Sequence, residues 1–242
     1  MQMLDPVLLD NPIWNALSTE HAPLALGDQR ARRYPPEIGP LSGIPDQSAG
    51  SYDALRQLAG SGAVVLFSVD PFRIPTGWKV IREGPIVQMI RAPKSAAAAE
   101  DLRLDVWKMA SAVGSELRQL TAADALPMVA LAELTEPGPF RLRTIELGNF
   151  YGIFQDGTLV AMSGKRMHLP GLVEISGVCT HPDARGRGHA GHLMSMVIDE
   201  IEREGKVPFL HALAQNPAIR LYERLGFELR QRFNFAVLTP EA

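Results

Sequence analysis

Residues 174–191 read EISGVCTHPDARGRGHAG and are the most informative segment of the chain. The segment from Val173 to Thr180 is apolar and β-branched, which predicts a strand, and Pro182 ends it. Beyond the glycines, apolar residues recur at the spacing of one helix face: Leu193, Met194, Val197, Ile198 and Ile201. The glycine-rich turn is therefore predicted to connect a strand to the start of a helix.

This turn has the composition of an anion site. The first amides of a helix lack intrahelical acceptors, and the helix dipole adds partial positive charge there. Gly186, Gly188 and Gly191 allow an anion to approach the backbone, while Arg185 and Arg187 add positive charge. The pattern predicts a pyrophosphate site; the alternative is a solvated basic turn in front of an ordinary amphipathic helix.

The string GRGHAG at residues 186–191 also matches the dinucleotide fingerprint G-x-G-x-x-G. That fingerprint needs a strand running directly into the first glycine, and an acidic residue about 20 positions further on. Here residues 181–185 intervene, and the next predicted strand, residues 207–213, is followed by Ala214 and Gln215. The ribose anchor is missing, so we disfavour a nicotinamide-dependent oxidoreductase.

Three segments resemble the GNAT superfamily of acyl-CoA-dependent N-acyltransferases. The pattern Arg185-x-x-Gly188-x-Ala190 is similar to its Q/R-x-x-G-x-G/A signature, and residues 178–182 and 216–227 are similar to the preceding strand and to a second signature helix. EISGVCTHPDARGRG is most similar to the FR47-like branch. The resemblance covers the chain from about Glu116 to Leu238 and implies an α/β (α+β) GNAT fold, with helices flanking a mixed central sheet.

The resemblance implies acetyl-CoA as the cosubstrate. Amides of the turn would hold its pyrophosphate, with His181 and His189 beside the phosphates. The main chain of Val178, Cys179 and Thr180 would bind the pantetheine arm as an added strand, and an amide near Val178 would polarise the thioester carbonyl. The amides that would hold the pyrophosphate are those of Arg185, Gly186, Arg187, Gly188, His189, Ala190 and Gly191.

Two side chains are candidates for the chemistry. The resemblance implies that Tyr222 gives its proton to the departing CoA thiolate; otherwise it is a half-buried helix tyrosine that packs on Phe227. Glu174 is the candidate base, because strand alternation would place it on one face with Ser176 and Val178. An exposed carboxylate at a strand edge, with a water relay as the base, is the alternative.

Other polar residues have less specific roles. Asn216 lies at a predicted helix start, where it caps the helix or, by the resemblance, contacts the cofactor arm. Cys179 should point away from Val178, so we predict a core residue and not a nucleophile. His168 and His211 are weaker candidates for the base, because isolated histidines are usually structural or solvated.

Composition limits the remaining possibilities. The 242 residues are 46% hydrophobic and 21% charged, with a net charge of -3, which gives no general attraction to nucleic acid or membrane. The single cysteine excludes an intramolecular disulfide and leaves no thiolate cluster for a metal. The sequence shows neither a leader pattern nor an apolar run long enough for a bilayer, so a cytoplasmic protein, monomeric or homodimeric, is expected.

The chain divides into an N-terminal α/β region at residues 1–95, a linker at 96–113 and a GNAT domain at 114–242. In the first region the pattern predicts a helix at 51–58, a strand at 63–69 and a pair of strands within 78–90. This order resembles an abbreviated copy of the C-terminal half without its basic turn. A degenerate GNAT-like half and an unrelated α/β cap both remain open.

Together these features predict an N-acetyltransferase in which an amine, on a small molecule or a peptide N-terminus, attacks acetyl-CoA directly in a ternary complex. No metal is implied. The alternative from another class is a CoA-binding regulatory or interaction protein on the same fold, without turnover.

Overall fold

The computed structural model describes residues 5–91 and 115–241, and an eight-stranded mixed sheet forms its centre. Three two-residue strands make a separate small sheet: β1 (Leu26–Gly27), β2 (Arg32–Arg33) and β3 (Ser42–Gly43). The strands of the large sheet are β4 (Val64–Ser68), β5 (Trp78–Arg91), β6 (Ser115–Gln119), β7 (Phe150–Gln155), β8 (Thr158–Leu169), β9 (Leu172–Thr180), β10 (Val207–Leu213) and β11 (Phe227–Pro240).

Helices cover both faces of this sheet. They are α1 (Pro12–Ser18), α2 (Ala49–Ala59), α3 (Ala125–Thr135), α4 (His189–Arg203) and α5 (Ile219–Arg224). Alternate residues of the strands separate two groups, because α1 and α3 pack on one face and α2, α4 and α5 on the other. Within residues 5–91 and 115–241, no helix combines the length and apolarity that crossing a bilayer requires.

Strands from both ends of the chain alternate in the large sheet. Its order is β4-β11-β5-β10-β9-β8-β7-β6, so β5 lies between β10 and β11 and pairs antiparallel with both. The regions 1–95 and 114–242 therefore share one sheet and one core. The predicted linker at 96–113 lies outside the described residues.

The predicted pair of strands within residues 78–90 is wrong. A single strand, β5, runs from Trp78 to Arg91, because β11 pairs with it along its whole length from Pro240 to Phe227. The sequence could not show this partner, which lies at the far end of the chain. The sequence pattern also predicts a last strand only from Phe233 to Leu238, whereas β11 runs from Phe227 to Pro240.

Local signals in the C-terminal half predict a helix capped by Thr121 with Asp124 and a hairpin with Asp156-Gly157 at its turn, and the structure contains both. Thr121 and Asp124 form a capping box in front of α3, and the Asp156-Gly157 turn joins β7 to β8. The helix predicted from residue 216 begins only at Ile219. The Asn216 side chain accepts a hydrogen bond from the Ala218 amide at 2.9 Å, within the turn before the helix.

A bulge in β9 interrupts its alternation. Ser176 pairs with Gly164 and Cys179 with Met162, so β9 spends three steps where β8 spends two, and Gly177 adopts φ +63°. Val178 consequently joins the apolar cluster of α4, whereas Cys179 enters the cluster of α3 on the opposite face. The prediction that Val178 shares a face with Glu174 is therefore wrong.

We expect Gly177→Ala to destabilise the protein more than Gly157→Ala, its matched control. Both glycines have positive φ, +63° and +76°, but a Cβ on Gly177 would lie 2.9 Å from Phe150, and a Cβ on Gly157 meets nothing within 4 Å. Backbone strain should cost about 1 kcal/mol in each variant, and the clash should raise the Gly177 loss to about 3 kcal/mol. Urea unfolding measures both; equal losses would show that the Phe150 contact does not hold the bulge.

Candidate active site

An opening in the sheet separates β9 from β10. The two strands pair in parallel from Leu172 and Val207 to Glu174 and Phe209, and then part. Beyond that point β10 stays paired with β5 up to Leu213, and β9 stays paired with β8 up to Thr180. The inner edges of the parted strands present backbone groups, so an extended arm can enter between them as an added strand.

The basic turn lies at the end of β9, at the mouth of this opening. Gly186 and Gly188 have φ of +77° and +79°, and Gly188 is the N-cap of the 15-residue helix α4. Two amides of the turn have backbone acceptors: the Arg185 amide donates to Pro182, and the His192 amide donates to Gly188. For the amides of residues 186–191, the described residues supply no backbone acceptor, which leaves them available as an anion cradle requires.

Side chains of the turn keep positive charge at the mouth. Arg187 donates to the Gln155 side chain at 3.3 Å and to the Asp183 carbonyl at 3.1 Å, and it remains exposed together with Arg185. Burial, with help from the Arg187 charge, lowers the pKa of His189, so its ring is neutral near pH 7. The fixed charge of the turn therefore comes from its two arginines.

Tyr222 lies on the face of the sheet that α4 and α5 cover. It is 6% exposed and belongs to the apolar cluster that contains Ile175, Leu210 and Phe227. Burial raises the pKa of Tyr222 to about 12, so its hydroxyl is protonated at neutral pH. Packing on Phe227, which the sequence suggested as the alternative to catalysis, is thus compatible with a proton-donating hydroxyl.

Glu174 is completely buried at the point where β9 and β10 part. Its carboxylate accepts two hydrogen bonds of 2.7 Å from Arg166 on β8 and one of 2.8 Å from Nδ1 of His211 on β10. Burial alone would raise the pKa of this carboxyl, but the Arg166 charge and the hydrogen bonds outweigh it and hold the pKa at about 2. The alternative of an exposed strand-edge carboxylate is wrong, and the geometry disfavours Glu174 as a base.

The network continues from His211 toward the N-terminal segment. Nε2 of His211 lies 3.0 Å from the side-chain amide nitrogen of Gln88, on the opposite side of the ring from the Nδ1 that bonds Glu174. The same Gln88 amide donates to the Leu9 carbonyl, and its oxygen accepts from Arg230, which also pairs with Asp10 at 2.7 Å. These polar partners join β8, β9, β10, β5 and β11 in one chain of hydrogen bonds that is buried at Glu174 and Gln88 and reaches the surface at Asp10.

Sequence reasoning missed Arg166, Gln88 and Arg230. Arg166 offered a signal, because a charged residue inside an apolar strand needs a buried counter-charge. The partner could not be identified, since the pairing with Glu174 depends on the register of β8 against β9.

Cys179 lies in the core, as expected. Its side chain packs with Met162 and Phe150 under α3, and burial raises the pKa of the thiol to about 11. A metal centre has no counterpart in the described segments, which contain no group of three or more His, Cys, Asp or Glu side chains that could hold an ion.

Comparisons with known proteins identify the family. The profile of the FR47-like protein family matches residues 150–236, which include β7 to β10 and most of β11. A putative acetyltransferase from the GNAT family of Novosphingobium aromaticivorans has a solved structure that is 37% identical, with a TM-score of 0.82 over 97% of this chain and 99% of that one. The chain belongs to the GNAT family.

More distant GNAT structures share the same fold. A GCN5-related N-acetyltransferase from Kribbella flavida is 14% identical, with a TM-score of 0.58 and 96% of each chain covered. The mycothiol acetyltransferase of Brachybacterium faecium is 33% identical over 153 residues, which are 57% of this chain and 44% of that protein. The chain therefore spans less than half the length of that relative. The predicted GNAT fold and FR47-like relationship are confirmed.

We expect Glu174→Gln to remove about 3 kcal/mol or more from the free energy of unfolding at pH 7, because Arg166 would stay buried without its counter-charge. The pKa of Glu174 falls from 4.5 to about 2 on folding. Its contribution is therefore complete above about pH 4.5 and is lost as the pH falls toward 2.

Urea unfolding between about pH 3 and 7 tests this dependence. The variant should lose less stability than the wild type over the acidic part of that range, whereas Glu228→Gln, at an exposed strand position, should follow the wild type. Parallel curves for wild type and Glu174→Gln would contradict the assignment.

Proposed function

We propose that this protein is an N-acetyltransferase that transfers an acetyl group from acetyl-CoA to a primary amine. The observation that carries the proposal is the opening between β9 and β10 with the basic turn at its mouth. A pyrophosphate suits the free amides and arginines of the turn, and a pantetheine arm with two amide groups suits the unpaired strand edges. The 37% identical GNAT relative supports the same reaction class.

The binding roles follow the two parts of the opening. The amides from Gly186 to Gly191 and the guanidinium groups of Arg185 and Arg187 would hold the pyrophosphate. The main chain from Val178 to Thr180 would bind the arm, and Asn216 would border it from the turn after β10. Acetyl-CoA supplies the activated acyl group, and an amide near Val178 would stabilise negative charge that develops on the acyl oxygen.

Tyr222 would act as the general acid. Attack by the neutral amine forms the C–N bond and breaks the C–S bond, so the leaving sulfur needs one proton and the new amide must lose one. The buried hydroxyl of Tyr222 holds a proton at neutral pH and would give it to sulfur. Water in the opening would take the amine proton, because Glu174 is already bound to Arg166 and His211.

Glu174 would then act as a positioning residue. Its carboxylate ties β8, β9 and β10 together at the last paired residue, so it fixes where the opening begins. The acceptor is a small-molecule amine or a peptide N-terminus. The similarity to the mycothiol acetyltransferase of Brachybacterium faecium supports acetyl transfer as the reaction. It does not assign the acceptor, because the alignment covers less than half of that protein.

We expect Gly186→Glu to weaken acetyl-CoA binding at least about tenfold, or about 1.4 kcal/mol, because a carboxylate would stand in the cradle. Gly205→Glu is the matched control: both glycines have positive φ, +77° and +71°, and neither has a neighbour within 4 Å of an added Cβ, but Gly205 follows the opposite end of α4. Calorimetry with acetyl-CoA, desulpho-CoA and NAD measures the effect. Equal affinities for both variants, or binding of NAD alone, would contradict the phosphate site.

We expect Tyr222→Phe to lower kcat about 100-fold while the Kd for acetyl-CoA changes less than about threefold, because the ring remains and only the proton donor is lost. Tyr151→Phe is the control, since the hydroxyl of Tyr151 donates to Glu200 at 2.9 Å and has no role in the proposed reaction. Thiol release with an amine panel gives kcat. Tight CoA binding by the wild type without thiol release would instead support a regulatory protein on this fold.

A further inference from the structure

The N-terminal half repeats the arrangement that forms the opening. In each half a strand leads through a turn into a helix, and the next strand returns parallel to the first. The same hydrogen bond closes both units: the Val65 amide donates to Pro40 at 2.8 Å, and the Val207 amide donates to Gly171 at 2.9 Å. The helices of the two units, α2 and α4, lie on the same face of the large sheet.

A cavity of about 500 Å³ lies in the N-terminal unit where the opening lies in the C-terminal unit. Its walls come from Ser42–Gln47, at the start of α2, and from Leu66–Ser68 at the end of β4. The two segments separate beyond the bridge between Leu41 and Val65. The volume is within the range of small-molecule sites.

The chemistry of this cavity is the reverse of the basic turn. Asp46 accepts hydrogen bonds from the Ser48 amide at 2.9 Å and from the Ser51 hydroxyl at 2.8 Å, and the Ser48 hydroxyl caps α2. A carboxylate of the chain itself therefore occupies the place that a phosphate would take. A second CoA molecule is disfavoured, because its phosphates would meet this carboxylate at close range.

The remaining walls favour a cation. Three carboxylates, those of Asp10, Asp46 and Asp70, line the cavity against the single guanidinium of Arg73, although Arg230 also bonds Asp10 from outside the lining. The apolar part of the lining includes two aromatic residues, Phe67 and Phe72. Aromatic faces and carboxylates together suit an ammonium group that carries an apolar body.

We propose that this cavity binds a small organic cation with an apolar body. The site goes beyond the proposed acetyl transfer and does not depend on it. One wall is continuous with the catalytic half, because the Phe67 ring lies 4.9 Å from the His211 ring, which bonds Glu174 beside the opening. The cation is either the acceptor amine itself or a separate ligand. In the second case the contact between Phe67 and His211 would carry its effect to the opening.

Calorimetric titration of the full chain with tryptamine, without acetyl-CoA, tests the site. Indole-3-ethanol and indole-3-acetate are the probes of matched shape, neutral and anionic. Asp70→Asn removes an exposed carboxylate from the lining, and Ser68→Phe fills the cavity. Asp156→Asn is the control, because it removes a carboxylate from the β7–β8 turn, outside the lining.

We expect tryptamine to bind with a Kd of about 1 mM or lower, at least about tenfold more tightly than either other probe. Asp70→Asn and Ser68→Phe should each weaken it about tenfold, with the melting temperature of Asp70→Asn unchanged, and Asp156→Asn should bind like the wild type. Equal binding of the three probes, binding untouched by both cavity variants, or no binding at about 1 mM would overturn the proposal.

Mass spectrometry after incubation with acetyl-CoA and tryptamine distinguishes the two sources of the ligand. If tryptamine is acetylated, and the KM for tryptamine is higher in Asp70→Asn than in the wild type, the cavity is the acceptor site. Binding without acetylation identifies a separate ligand site, and the cavity assignment stands. Because the titrations use no acetyl-CoA, a failure of the proposed transferase activity leaves their outcome unaffected.

Discussion

The ion pair between Arg166 and Glu174 is the interaction on which the opening in the sheet depends. Two buried charges are tolerated only when they face each other and their remaining hydrogen bonds are satisfied. The two bonds from Arg166 and the third from His211 meet that requirement at the last residue where β9 and β10 are paired. On one side of this point β9 and β10 are joined by backbone pairing; on the other they separate and leave backbone groups for a ligand. Glu174 thus lies where the backbone pairing of β9 with β10 ends and where a ligand can pair with their free edges.

The N-terminal half is part of this architecture. Gln88 on β5 connects His211 to Leu9 and Arg230, so a segment near the start of the chain contributes to the polar network beside the opening. The two halves also resemble each other in their strand–helix–strand units, but they differ in the chemistry at the helix start. Arginines and glycines keep one helix start available for phosphate, whereas Asp46 and Ser48 satisfy the other from within. Two similar backbone arrangements therefore differ in the charge of the ligand that each one favours.

Local chemistry explains which features the sequence could predict. The capping box at Thr121 and Asp124, the Asp156-Gly157 turn and the glycine-rich helix start depend on neighbouring residues, and each is found where expected. The errors concern strand pairing: β5 continues past the expected break because β11 covers it, and the bulge at Gly177 moves Val178 to the other face. The burial of Glu174 follows from a register between strands that no local pattern contains. The roles of Tyr222 and the basic turn remain predictions, although their burial and backbone geometry are compatible with them.

The position of β5 between β10 and β11 has a consequence for the order of events at the ribosome. β5 is synthesised before both of the strands that flank it, β10 and β11, and its first residue, Trp78, pairs with Pro240. Until those strands emerge, both long edges of β5 remain without their native partners, and such edges attract other chains. Pairings between such distant residues also form slowly. The sheet can therefore close only after β10 and β11 have left the ribosome.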